Sequence, residues 1–86
     1  MLSIGQVVYS KCGRDKARPF IVLSLVDEQY VYIVDGSLRK LSRPKKKKRK
    51  HIQATKTISL EIQQKMLDES QLLDADVRNA LEPYER

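Results

Sequence analysis

The sequence predicts a small, mainly β domain, in which a strongly bent antiparallel barrel of four to five strands precedes one or two short helices. Short β-branched and aromatic runs, separated by tight-turn signals, fill roughly the first 55 residues. From residue 57 onward the apolar residues recur at helical spacing instead. At 86 residues, a chain buries only about 60–65% of its unfolded surface, so we expect one domain with a small core.

Four to five short segments carry the predicted strands. "GQVVYSKCG" opens with the first run, "PFIVLSLV" is too continuously apolar to face solvent, and "YVYIV" follows the polar tip "DEQ". An Asp35–Gly36 turn leads into "SLRKL", where Pro44 interrupts the ladder because it lacks a donor. "HIQAT" is the last short strand. Alternation in the third run separates Val31 and Ile33 from its other residues without indicating which face is the core.

Two amphipathic segments follow. Ile58, Ile62 and Met66 recur at i, i+4 and i+8, with Ser59 as a predicted N-cap. A second helix is predicted to begin with Asp74 as N-cap and to end at Pro83. Asp76 lies in its predicted first turn, where an acidic group suits the helix dipole. Val77, Ala80 and Leu81 form its predicted apolar face. Such short helices need a surface to pack on, so we expect residues 57–86 to dock on a barrel formed by residues 3–56.

The charge is divided unequally along the chain. Residues 1–56 hold 14 Lys and Arg against 4 Asp and Glu, whereas residues 57–86 hold 3 against 7. The basic part is typical of a surface that binds a polyanion.

The most basic segment is "RPKKKKRKH", residues 43–51. It lies between two predicted strands, so we interpret it as an internal connection of the barrel and not as a tail. Mutual repulsion predicts that it is mobile without an anion. The string "PKKKKRK" also has the form of a nuclear localisation signal, an interpretation that we disfavour because lysine-rich segments match it by chance.

A second group of cations lies in the loop "SKCGRDKARPF", residues 10–20. Gly13 can adopt a positive φ there, and Arg14 can bind a phosphate with two parallel hydrogen bonds. Asp15 is expected to hold the loop by accepting local backbone donors. An ordinary charged hairpin would have the same composition.

From residue 5 to residue 36 the chain closely resembles a KOW motif, with its most specific pieces in "GRDK" (13–16), the Asp35–Gly36 pair and the segment from Pro44 to His51. Nearly the whole chain resembles bacterial KOW-domain RNA-binding proteins, which are similar to the fourteen-e family of large-subunit ribosomal proteins. The resemblance implies an SH3-like barrel that binds RNA, with ribosomal RNA as the leading candidate. Ala17 stands where related sequences carry glycine, which would cost about 1 kcal/mol if that position needs a positive φ.

The expected function is therefore non-catalytic binding of structured RNA by a cytoplasmic, monomeric protein associated with the large ribosomal subunit. The predicted RNA-binding residues are Lys11, Arg14, Lys16, Arg18, Arg39, Lys40, Arg43, Lys45, Lys46, Lys47, Lys48, Arg49, Lys50 and His51. The main alternative is a KOW protein-interaction module that docks on a ribosomal protein or on RNA polymerase through its helices or its tyrosines. A nuclear or DNA-bound basic protein is the third alternative.

The sequence has few of the motifs that would indicate a metalloprotein, an enzyme or a membrane protein. A single cysteine, Cys12, allows no internal disulfide, and His51 is the only histidine, so we expect no metal site and no cofactor. There is no Ser/His/Asp set, no phosphate-cradling glycine loop and no apolar run of the roughly 20 residues that span a membrane. We expect no enzymatic activity, no membrane association and no secretion signal.

Overall fold

The computed structural model describes residues 1–85, so Arg86, the last residue of the predicted helical extension, lies outside it. Five strands precede two α-helices, and two short 3₁₀ turns follow β4 and α2. The elements are β1 (Gln6–Ser10), β2 (Pro19–Leu25), β3 (Tyr30–Val34), β4 (Lys45–Lys48), η1 (Arg49–His51), β5 (Ile52–Ile58), α1 (Leu60–Leu67), α2 (Asp74–Leu81) and η2 (Glu82–Tyr84). The predicted mainly β class, with antiparallel strands followed by two short helices, is confirmed.

All five strands belong to one antiparallel sheet with the order β4-β3-β2-β1-β5. The two outer strands of this order, β4 and β5, are consecutive in the chain and are joined by only the three residues of η1. The sheet must therefore curl until its two ends approach each other. Register shifts between Gln6 and Val8 and between Val22 and Ser24 add local bending.

Both faces of the sheet are buried, which explains the continuous hydrophobicity of β2. The concave face encloses the inner cluster, formed by Val8, Phe20, Val22, Val31, Ile33 and Ile52. The convex face carries the outer cluster, in which Val7, Ile21 and Val34 of the sheet pack with Ile62, Val77 and Leu81 of the helices. Val31 and Ile33 thus point into the barrel, whereas Val34 points towards the helices.

Helix α1 docks on the chain just before β1. Its predicted N-cap is confirmed, since the Ser59 hydroxyl accepts from the Ile62 N–H at 3.3 Å. Gly5 has a φ of +89°, and a Cβ there would lie 3.0 Å from the Ser59 carbonyl oxygen. A side chain at position 5 would therefore push the helix away from the sheet. The helix ends in a Schellman motif with Glu69 at a φ of 56°, where the Ser70 N–H donates to the Lys65 carbonyl.

Helix α2 begins one residue earlier than predicted. Leu73, not Asp74, is its N-cap, and the Asp76 carboxylate accepts from the Leu73 N–H at 2.9 Å. That hydrogen bond, together with Lys65 at 3.2 Å, lowers the pKa of Asp76. Asp74 has a different role, because its carboxylate accepts from the Leu41 N–H at 2.8 Å. The helix is thereby attached to the chain that leads into β4.

Two predicted strand positions were wrong. "SLRKL" forms turns, and the fourth strand consists instead of Lys45–Lys48, within the segment expected to be a mobile connection. The lysines can form a strand because they pair with β3, and because alternate side chains face solvent on long flexible stems. The last strand, β5, runs to Ile58, two residues beyond the predicted end of the barrel.

Replacing Gly36 tests how closely α2 packs on the barrel. Gly36 has a φ of +79°, and a Cβ there would lie 2.5 Å from the Asp74 carbonyl oxygen. We expect Gly36→Ala to lower the free energy of unfolding by about 2 kcal/mol or more in urea denaturation, through strain and displacement of the helix. Gly13→Ala is the matched control, with a φ of +82° and no atom nearer than the Lys47 Nζ at 3.8 Å. It should cost only about 1 kcal/mol, and equal losses at both positions would contradict the close packing.

Candidate nucleic-acid interface

Strand β4 arranges its lysines in two rows. Lys46 and Lys48 are exposed and lie directly opposite Tyr32 and Tyr30 of β3, so these four residues share one face of the sheet. The Lys46 Nζ lies 4.8 Å from the centre of the Tyr30 ring, within range of a cation–π interaction. Lys45 and Lys47 project from the other face and are half-buried. The strand thus presents two lysine ammonium groups on each face of the sheet.

The loop of residues 11–18 lies beside this strand, although about 30 residues separate the two in sequence. The Lys11 N–H donates to the His51 carbonyl at 2.8 Å. The Lys47 ammonium donates to the Cys12 carbonyl at 3.2 Å. The structure therefore brings together the two groups of cations that the sequence analysis identified.

Backbone hydrogen bonds and positive φ values shape this loop. The Ala17 N–H donates to the Ser10 carbonyl at 2.8 Å, and the Arg18 N–H donates to the Asp15 carbonyl at 3.0 Å. Gly13 has the positive φ that the sequence predicted. Ala17, at the place where the resemblance expects glycine, also has a positive φ, of 68°. The substitution therefore imposes the predicted strain without removing the turn.

Two predicted RNA-binding residues are held by buried carboxylates. Arg39 donates to the Asp15 carboxylate from Nε at 3.1 Å and from Nη2 at 3.0 Å. Arg18 lies 3.4 Å from the Asp35 carboxylate, which also accepts from the Arg39 N–H at 2.8 Å. Asp15 and Asp35 are only 5% and 2% exposed, so their charges require these partners. Asp15 thus binds a distant guanidinium, in place of the expected local donors, and the pairs fix the 11–18 loop to residues 35–39.

Arg49 also has a structural contact. Its backbone N–H donates to the Gln29 carbonyl at 2.8 Å, and its Nε donates to the Asp27 carbonyl at 3.0 Å. These bonds join η1 to the turn between β2 and β3. In that turn, hydrogen bonds from the backbone N–H groups of Gln29 and Tyr30 lower the pKa of the Asp27 carboxyl, and the nearby cations Lys46 and Arg49 lower it further.

Most of the other predicted cations have no carboxylate partner within residues 1–85. Eight of them are exposed, and within residues 1–85 none forms an ion pair with a carboxylate. They are Lys11, Arg14, Lys16, Lys40, Arg43, Lys46, Lys48 and Lys50. With the half-buried Lys45, Lys47, Arg49 and His51, they define what we call the basic surface. Phosphate groups could approach the eight exposed groups without displacing a carboxylate partner.

The pKa of His51 is lowered by its position within the basic surface. Partial burial is the first cause that holds the pKa of His51 below its usual range, and repulsion by neighbouring lysines is the second. Those lysines are Lys50, Lys47, Lys48 and Lys11. The imidazole is therefore neutral at pH 7 and gains a proton most readily when an anion approaches.

The sequence analysis missed a groove on the convex face, next to the basic surface. Tyr9, Arg18, Gln53, Tyr84 and Glu85 are among its lining residues. No spacing in the sequence places Tyr84 near Tyr9, because the contact depends on where α2 and η2 pack. Of the five residues named, the sequence analysis identified only Arg18, as a predicted RNA-binding residue.

A scan against protein-family models gives no matching family, and a search of curated proteins gives no matching relative. The resemblance to KOW-domain proteins therefore stays a prediction. Within residues 1–85, no group of three or more His, Cys, Asp or Glu is placed to hold a metal ion. No helix of this part of the chain is long and apolar enough to cross a membrane.

Replacing Ala17 by glycine should relieve the loop strain. Since a positive φ costs alanine about 1 kcal/mol, we expect Ala17→Gly to raise the free energy of unfolding by up to about 1 kcal/mol. Greater freedom of glycine in the unfolded chain offsets part of this gain. Urea denaturation measures the change. Ala75→Gly, at an exposed position in α2, is the control and should lose about 1 kcal/mol. Destabilisation by both substitutions would show that Ala17 is not strained.

Proposed function

We propose that this chain is a non-catalytic RNA-binding protein and that the basic surface contacts the phosphate backbone of structured RNA, with ribosomal RNA as the leading candidate. The observation that carries the proposal is the convergence of the 11–18 loop, β4 and η1. Each of these elements alone is an ordinary charged segment. Together they present six exposed cations, and Lys40 and Arg43 in the segment that leads into β4 add two more. None of these eight has a carboxylate partner within the described residues.

The way in which the cations are held also favours this function. Alternate lysines on a strand lie about 7 Å apart, so Lys46 and Lys48 project side by side from a rigid backbone. Part of the conformational entropy that a disordered basic tail would lose on binding is already lost on folding. Such an arrangement suits the recognition of a folded backbone, since double-stranded RNA is recognised mainly by shape and through its phosphates and 2′-hydroxyls.

Three acidic residues of the helical end have partners outside the basic surface, which is consistent with the proposal. Glu61 and Asp76 pair with Lys65, and Asp74 accepts from the Leu41 backbone. These carboxylates are used within the helices and in docking them on the barrel. They therefore do not compete for the cations of β4.

Co-sedimentation with ribosomal particles across a salt series tests the proposal in cells. Retention of the tagged protein on large subunits or their precursors at high salt would support a specific site on ribosomal RNA. Release at moderate salt, with equal affinity for unrelated RNA, would contradict specific recognition. An association that resists both salt and neutralisation of the lysines would instead favour docking on a ribosomal protein or on RNA polymerase. Competition between duplex DNA and folded RNA separates the DNA-binding alternative.

The salt dependence of RNA affinity should change in proportion to the cations removed. Each phosphate contact contributes roughly 0.7–0.9 to the slope of log affinity against log salt. We expect the joint replacement of Arg14, Lys46, Lys48 and Lys50 by glutamine to lower that slope by about 3–4 and to weaken binding at low salt. Fluorescence anisotropy with a folded ribosomal RNA fragment measures both effects.

The control for this experiment is Lys65→Gln, which removes a cation from the helical end, where it pairs with Glu61 and Asp76. Its slope should equal that of the wild type. Unchanged affinity of the fourfold variant at low salt would contradict the role of the basic surface. Thermal unfolding confirms that each variant is folded.

RNA affinity should also increase as pH falls through the titration range of His51. The pKa of free His51 is lowered by burial and by lysines, and a bound phosphate would raise it. At a pH between the His51 pKa of the free protein and that of the complex, RNA binding is accompanied by uptake of one proton. The affinity therefore increases by at most about tenfold for each unit by which the pH falls. Anisotropy titrations at several pH values should show this increase for the wild type and not for His51→Gln. The same pH dependence in both proteins would assign the proton to another group.

A further inference from the structure

The groove on the convex face has an aromatic floor at the point where the helices stop covering the sheet. Tyr9 of β1 lies directly opposite Pro19 of β2 on one side and Gln53 of β5 on the other. This row of three residues lies two positions along β1 from the row that contains Val7, which the helices cover. Tyr84 of η2 packs against the outer cluster and also lines the groove. Two half-buried tyrosines therefore border the same space, which has a volume of about 800 Å³.

Polar groups line the same groove. Arg18 contributes hydrogen-bond donors, Glu85 contributes acceptors, and the Gln53 amide contributes both. The Arg18 guanidinium lies 3.4 Å from the Asp35 carboxylate, and this ion pair restrains the donor at the edge of the groove. Flat aromatic surfaces combined with donors and acceptors match a nucleobase, which has two flat faces and an edge of alternating hydrogen-bonding groups.

We propose that this groove binds one unpaired nucleobase of the RNA, stacked on Tyr9 or Tyr84. The inference rests on the proposed RNA-binding function and adds to it a second mode of recognition. The basic surface would hold the backbone, and the groove would select RNA in which a base is free of its helix.

The position of the groove supports this ligand. Lys11 directly follows the end of β1, two residues and about 7 Å beyond Tyr9, and its N–H donates to the His51 carbonyl. Arg18 and Ala17 belong both to the groove and to the 11–18 loop. A strand of RNA whose phosphates contact Lys11 and Lys50 could therefore place the adjoining base in the groove. A proline-rich peptide is the alternative occupant, but it would gain nothing from this continuity with the basic surface.

The experiment compares two RNAs of equal length, one single-stranded and one fully paired with its complement. We expect the leucine substitution of the tyrosine that carries the stacked base, Tyr9→Leu or Tyr84→Leu, to weaken binding of the single-stranded RNA by about 5- to 150-fold. Binding of the duplex, which has no free base, should change by less than about twofold, because neither substitution removes a contact to the duplex. The corresponding phenylalanine variants retain the ring and should restore most of the affinity. Thermal unfolding confirms that the leucine variants are folded.

A second measurement leaves the protein unchanged. Wild-type protein should bind the single-stranded RNA more tightly than an RNA of the same length with abasic positions throughout, because the two differ only in their bases. Equal affinity for these two RNAs would overturn the proposal. So would equal losses of the leucine variants on single-stranded and paired RNA, or a larger loss from Tyr32→Leu, which would place stacking beside β4 instead.

The outcomes also separate this inference from the proposed function. Salt-dependent binding of both RNAs that is unaffected by Tyr9→Leu and Tyr84→Leu would overturn the groove proposal alone. Absence of binding to either RNA would overturn both. Binding of a proline-rich peptide that is lost in the leucine variants, with RNA affinity unchanged, would assign the groove to a protein partner.

Discussion

The three-residue connection between β4 and β5 is the constraint on which the rest of this structure depends. These strands lie at opposite ends of the sheet order, yet only Arg49–His51 separate them in the chain. The sheet can satisfy both conditions only by curling, and the curl encloses Phe20 and its neighbours. The same closure brings the lysines of β4 against the 11–18 loop. Core and basic surface are therefore two results of one topological requirement.

The cations that the sequence analysis singled out divide into those that neutralise buried carboxylates and those that have no carboxylate partner within residues 1–85. Arg39 and Arg18 satisfy the buried carboxylates of Asp15 and Asp35, and removing either partner would leave a buried charge unpaired. The exposed lysines of the basic surface and Arg14 have no carboxylate partner within the described residues. A basic composition alone does not separate these roles, because the distinction depends on which carboxylates the fold buries nearby.

The sequence predicted those features that local chemistry determines. Alternation and turn residues indicated the first three strands, Ser59 indicated the start of α1, and Gly13 indicated a positive φ in the 11–18 loop. It failed where pairing partners decide the structure. Lys45–Lys48 has no intrinsic preference for a strand, and becomes one because β3 offers an unpaired edge and hydrophobic neighbours. The groove near Tyr84 and the ion pairs of Asp15 and Asp35 likewise depend on contacts between distant segments.

The two hydrophobic clusters differ in which parts of the chain they require. Every residue of the inner cluster lies between positions 8 and 52, whereas the outer cluster combines Val7, Ile21 and Val34 with residues from the two helices. A chain that ended after β5 would thus contain its whole inner core but would leave an apolar sheet face open to water. Exposed faces of this kind drive self-association. The helical end accordingly covers a sheet face through which the barrel would otherwise self-associate, so it is not an appendage that could be trimmed away.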